Sequence, residues 1–265
     1  MLFLREWFEK TVRNQGELFF GRQPKTHRIP FGPLAGRKIF IRFSFSPKMF
    51  FGVDEPWIAK LAQTHVKPND VIYDIGAHVG YTCLLFAQRL EGSGFVHAFE
   101  ILPSIANGFL RKTIMANNFT NIVIHNVGLS DSVRSIELPV GETGMTSVYS
   151  SRDQGRQLES CQLISLDEYV LKQGLPDPTI MKIDIEGAEV DCLLGAKRLI
   201  GRCFPRMIIE FHTIQLLRKG FSFLDRLGYR LHFSNGELVT LEMLARIKQF
   251  YGNVLCLPAA ETKHQ

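Results

Sequence analysis

The chain has 265 residues, 45% of them apolar, with 21 Phe and a net charge of +5. That length holds one large domain, or one and a half, around a full and bulky core. No apolar run reaches the ~18 residues needed to span a bilayer. Arg5 and Glu6 interrupt the N-terminus at once, which argues against a secretory signal, and five scattered cysteines without a C-x-x-C pair argue against a disulfide framework or structural zinc site. A reducing, cytoplasmic setting is the simplest inference.

The charge is uneven. Residues 1–50 hold ten Lys or Arg and three Glu, a surplus of seven positive charges, so the other 215 residues sum to −2. The plain reading of this basic extension is a solvated face; the alternative is an anionic surface or acidic partner. No RNA-recognition or zinc-finger pattern supports nucleic acid. Leu4, Trp7, Phe8 and Val12 recur at helical steps, which predicts a helix over 2–20 docked on the core. Trp7 and Phe8 also lie opposite Arg5, Lys10 and Arg13, so weak contact with a membrane surface through residues 1–50 is a second reading. Residues 27–45 read as a small hairpin. Pro56 opens a helix to about His65. For Glu55, just before it, two readings stand: it faces a ligand pocket, or it serves the helix N-terminus.

The most informative stretch is Asp70–Gly80. Val71, Ile72 and Ile75 predict a strand covered on both faces. Gly76 permits a backbone shape closed to other residues, and Gly80 lets the following helix, Tyr81 to about Leu90, pack close. A second strand, 94–99, ends in Glu100, at the spacing where an acid accepts ribose hydroxyls in a nucleotide-binding βαβ unit. The glycine pattern is G-x-x-x-G rather than G-x-G-x-x-G, and Asp74 would repel a pyrophosphate. A cationic ligand with a ribose fits better, and S-adenosylmethionine is such a ligand.

A helix over 103–117 and a third strand, 122–127, follow. Repeated β/α steps predict a doubly wound sheet with its ligand at the carboxyl ends of the strands. Gly128, Leu129 and Ser130 then fall on the cofactor side. Residues 131–163 read as a β-rich insertion, with strands near 135–140, 145–149 and 161–164, and Thr146 and Ser147 in it are candidates for touching the acceptor. The strand 179–187 ends in Asp184 and Glu186, and a helix from Ala188 to Ile200 follows. The strand 206–212 ends in Glu210 and His212, which share one side by alternation. Residues 253–258 close the sheet as an edge or inserted antiparallel strand, and 259–265 form a tail.

These residues carry a resemblance. Val71–Gly80, Phe99-Glu100, Ser165-Leu166-Asp167, Lys182–Glu189 and Asn253-Val254-Leu255 resemble the FkbM-type, S-adenosylmethionine-dependent methyltransferases. The resemblance spans roughly residues 50–258, and Lys182–Glu189 is its most specific part. It implies an α/β fold, a doubly wound, mostly parallel seven-stranded sheet of the class I, Rossmann-like kind. It also implies O-methylation of a hydroxyl, often on a sugar or a polyketide-like product. The chain departs from the family at His78, where Asn is common, and at Ile101, where Pro is usual.

The expected cofactor residues are Asp74, Gly76, Ala77, His78, Gly80, Glu100, Ile101, Gly128, Leu129 and Asp184. An alcohol acceptor needs its proton removed, so His212 is expected as the base, with Asp184 the other candidate. Glu210 and Glu186 would orient the base or the acceptor, and Glu55 would line the acceptor side. A divalent metal on Asp184, Glu210 and His212, of the Mg²⁺ kind, is possible but not favoured. Other readings are a non-catalytic S-adenosylmethionine-binding module, an N-methyltransferase, a nicotinamide dehydrogenase, for which the glycine spacing is wrong, and a membrane-associated scaffold.

Overall fold

The structure, a computed structural model, describes residues 16, 18–44, 46–90, 92–140 and 157–260. Most of the expected N-terminal helix, the strand expected near 145–149, and Thr146 and Ser147 lie outside the described residues.

A hairpin of β1 (Lys25–Arg28) and β2 (Lys38–Ile41) precedes the main sheet. The sheet itself contains β3 (Val71–Ile75), β4 (Phe95–Phe99), β5 (Ile122–His125), β9 (Ile180–Ile183), β10 (Arg206–Phe211), β11 (Tyr229–Phe233) and β12 (Gly252–Pro258). Their order is β11-β12-β10-β9-β3-β4-β5, and β12 is the antiparallel strand, inserted between β10 and β11. The chain leaves β3 toward β4 and β5 in one direction, and β9 leads to β10 in the other. The switch point is therefore the β3–β9 junction, where a parallel α/β sheet opens a crevice at its carboxyl edge.

Residue choice explains the layers. All four residues of β9, Ile-Met-Lys-Ile, are buried, as a central strand covered on both faces requires. On one face Ile72, Val96 and Ala98 pack with Ile58 and Leu61 of the helix Pro56–His65 and Leu84 and Phe86 of the helix Tyr81–Ala87. On the other, Tyr73, Phe99, Met181 and Ile209 pack with the helices Leu166–Gln173, Glu189–Gly195 and Ile214–Arg226. Ser165 and Thr213 cap the first and last of these, each accepting from a backbone N–H three residues on.

Two helices differ from expectation. The helix after β9 breaks at Ala196, giving Glu189–Gly195 and Lys197–Cys203. Gly195 passes against the carbonyl of Ser130 so closely that no side chain fits there. The helix expected over 103–117 starts as a π-helical turn, Ser104–Leu110, before Arg111–Ala116. In the insertion, β6 (Gly128–Leu129), β7 (Arg134–Pro139) and β8 (Leu158–Ile164) form a separate sheet in the order β6-β8-β7. Among the described residues no helix is long and apolar enough to cross a membrane.

Beneath β4 and β5 lies a buried polar chain. His97 Nδ1 is 2.9 Å from His125 Nε2, and His125 Nδ1 is 3.1 Å from the Tyr169 hydroxyl. Burial, helped by the neighbouring His97, pushes His125 down from 6.5 to about 4. The unfolded chain thus takes up a proton near pH 6.5 that the folded chain refuses until about pH 4, so stability falls as pH drops between these values. The loss is about 2 kcal/mol by pH 5. Urea melts at pH 7.5 and 5.0 should show this loss, and His125→Gln should shrink it; an unchanged pH dependence in the variant would refute the assignment.

Candidate active site

The crevice is built on one lysine. Asp74 of β3 and Lys182 of β9 are directly paired in register. Both are buried, and Lys182 Nζ lies 3.7 Å from Asp74 Oδ1, 3.1 Å from Asp184 Oδ2 and 3.3 Å from the carbonyl of Gly76. Burial alone disfavours the ammonium, but Asp184 and Asp74 outweigh it and hold the group charged, well above its ordinary value. Asp74, expected among the cofactor residues, faces this ammonium. It is wholly buried, and its Oδ2 accepts from Thr82 Oγ1 at 2.6 Å and Cys83 Sγ at 3.0 Å.

The glycine loop is also committed inward. Gly76 sits at φ 83°, and a Cβ there would collide with the carbonyl of Asp184, so the glycine serves loop-on-loop packing. The N–H groups of Gly76 and Ala77 both donate to Phe99 O at 3.0 Å. The loop thus lacks the free N–H cradle that phosphate ligands use. His78, at φ 49°, donates its backbone N–H to Glu100 Oε2 at 2.9 Å, and Leu102 N–H donates to Oε1 at 3.0 Å. Glu100 is 6% exposed, and burial raises its carboxyl to about 7 against those two hydrogen bonds. The Ile101 N–H adds to these donors, and a carboxylate with two oxygens still has acceptor capacity left for a ligand. Gly80 opens the helix Tyr81–Ala87 and packs on Leu110.

Gly128 and Leu129, also expected at the cofactor, lie in the small sheet. Both are buried and paired with Leu163 and Ile164 in the small sheet, and Gly128 is covered by Ile101. Neither presents an open main chain to a nucleobase. Asn126, which sequence reasoning passed over, clamps the turn after β4 by donating to the carbonyls of Glu100 and Ile101 at 2.9 and 3.1 Å.

Across the crevice, four carboxyls gather at the tips of β9 and β10. Glu186 (φ 53°) and Gly187 (φ 106°) turn the loop after β9 back sharply. The turn is held by Glu189, wholly buried, whose Oε1 accepts from Gly187 N–H at 2.7 Å and lies 2.8 Å from His212 Nδ1. On its other side His212 Nε2 lies 3.2 Å from Glu186 Oε2 and 3.8 Å from Asp184 Oδ1. Burial alone lowers His212, but Glu186 and Glu189 overcome it and raise the imidazole to about 10. Held between these carboxylates the ring is favoured in its protonated form, which argues against His212 as the base. Burial and Asp184 push Glu210 up, while the Tyr251 hydroxyl bonds to it. Glu55 stands at the head of its helix in the left-handed region, φ 46°, and its side chain makes no cap hydrogen bond. Burial raises Glu55 to about 7, with Lys182 opposing and Glu210 and Asp184 assisting, which places it in the same electrostatic group.

Sheet order, switch point and site define a class I, Rossmann-like methyltransferase fold. Residues 74–231 match the methyltransferase FkbM domain, and the chain belongs to that family. A curated relative, the hexuronic acid methyltransferase AglP of Haloferax volcanii, is 25% identical over 157 residues, which span 59% of this chain and 62% of the relative's length. A methyltransferase FkbM from Methylobacillus flagellatus has 15% identity and a TM-score of 0.46, over 75% of this chain and 50% of that one. A SAM-dependent O-methyltransferase from Thermotoga maritima has 14% identity and a TM-score of 0.47, over 92% and 80% of the two chains.

Removing the lysine isolates Asp74 in the interior. Lys182→Met should cost about 3 kcal/mol or more in denaturant unfolding, and Asp74→Asn added to it should recover part of the loss. A double variant less stable than Lys182→Met would refute the pairing.

Proposed function

We propose that the protein transfers a methyl group from S-adenosylmethionine to a hydroxyl of a sugar or glycan, an acidic sugar being the favoured acceptor. The observation that carries the reading is Glu100, an acid held by backbone donors at the tip of β4, beside a loop whose Gly76, Ala77 and His78 N–H groups are already taken. That arrangement fits a ribose bearing no phosphate. Asp184, Glu186, Glu210 and Glu55 on the facing side fit the positive charge of a sulfonium and an amino group. The cofactor, when bound, supplies an electrophilic methyl. Family membership supports the reaction class, and the named substrate of AglP supports the acidic sugar.

The chain's own residues have three tasks. Glu100 accepts the ribose hydroxyls. Lys182 fixes Asp184 at the crevice floor, so the acceptor is aligned rather than merely bound, and such positioning supplies much of ~7–11 kcal/mol. Glu55 accepts the acceptor's proton. Asp184 is engaged with Lys182 and the carboxylates around His212 favour its protonated form, whereas Glu55 is half-buried at the head of its helix and makes no cap hydrogen bond.

Glu100→Ala should weaken S-adenosylmethionine binding at least tenfold by calorimetry, since hydrogen bonds to a charged group contribute about 1.5–3 kcal/mol. A thermal melt on the same sample separates this from unfolding, and undiminished affinity in the folded variant would sink the cofactor assignment. Glu55→Gln should lower kcat by ~10²–10⁴-fold in a protein that still binds the cofactor. With labelled methyl donor and a panel of hexuronic acid, neutral hexose and amino sugar, label is expected in a base-stable ether on a hydroxyl. Label confined to the amino group would instead favour N-methylation.

A further inference from the structure

We propose that Asp184, Glu186 and His212 form a site for one divalent metal ion of the kind that takes mixed nitrogen and oxygen ligands, Mn²⁺ being the natural probe. One atom of each lies within 4.8 Å of the others. An ion ~2.1 Å from two ligands sets them about 3.0 Å apart at a right angle and about 3.7 Å apart at a trigonal angle. The observed Nε2 separations, 3.2 Å to Glu186 and 3.8 Å to Asp184, already fall near these values. The set differs from the triad expected from sequence, because Glu210 is engaged by Tyr251 and Glu186 takes its place.

A second observation points to a ligand. His212 Nε2 is buried with the carboxylates of Glu186 and Asp184 in front of it at ion-pair range and no well-aligned hydrogen bond to either. The opposite nitrogen, Nδ1, is held at 2.8 Å by Glu189, a carboxylate with no exposure whose own position is tied to the Gly187 N–H. A carboxylate gripping the far nitrogen of an imidazole, with the near nitrogen aimed at two further carboxylates, is the arrangement that orients histidine on a metal. Uptake displaces the proton from Nε2. Three protein ligands leave coordination positions open. An imidazole among the ligands favours Mn²⁺, Zn²⁺ or Fe²⁺ over Mg²⁺, which prefers oxygen and water.

The use of such an ion rests on the methyl-transfer reading, whereas its binding does not. In that reaction it would polarise the acceptor hydroxyl, and it would make an acid-lined crevice hospitable to an anionic sugar.

The test uses the full chain after chelator treatment, titrated with Mn²⁺ and followed by the loss of the free-ion spin-resonance signal and by calorimetry. One Mn²⁺ per chain is expected, with a raised melting temperature. Asp184→Asn and Glu186→Gln should each weaken binding at least tenfold, and Glu189→Gln ten- to a hundredfold through the histidine. Glu186 lies in a partly exposed loop, so its variant stays informative if Glu189→Gln fails to fold. No uptake, or uptake equal in wild type and the Asp184 and Glu186 variants, would overturn the site. Uptake that these variants weaken, in a protein that does not bind S-adenosylmethionine, would uphold the ion and sink the methyl-transfer reading.

Discussion

The Lys182 ammonium is the interaction on which the rest depends. It sits where β3 and β9 meet, between Asp74 below and Asp184 above, and it also bonds the first glycine carbonyl of the loop after β3. Charges taken out of water are costly unless they neutralise one another. Asp74 is wholly buried and Asp184 partly so, and the lysine between them ties the two halves of the sheet together at the switch point. The loops after β3 and β9 then approach so closely that only glycine fits at position 76.

From that lock follows the polarity of the crevice. The β4 side carries Glu100, held by backbone donors. Among the described residues, the acids of the β9–β10 side have Lys182 and His212 as charge partners. Such a surplus of carboxyls favours cations, and the proposed sulfonium cofactor and the proposed metal ion would each relieve it. Strained backbone at Glu55 and Glu186, both in the left-handed region, lies on this same side.

Histidine 212 illustrates how context decides a side chain's chemistry. At the end of a strand beside acids it looks like a base. Two carboxylates flanking the ring convert it into a held cation, or, with the proton displaced, into an oriented ligand. Glu189 makes the difference, and nothing local in the sequence marks it as more than a helix-opening acid.

The sequence by itself determined the sheet strands, because long apolar runs ending at glycine or an acid leave little freedom in a parallel α/β fold. It set the position of Glu100 at the tip of β4 as well, since the distance from the glycine loop across one helix and one strand is set by element length. Only the tertiary structure decided which acids lie at the crevice. Asp74 and Glu100 look equivalent along the chain, yet strand register points one into a lysine 108 positions away and leaves the other at the crevice. Likewise Gly128 and Leu129 were placed by pairing with β8, a partner more than thirty residues on. Pairings across that distance depend on how strands align in three dimensions, and residue pattern along the chain carries no record of them.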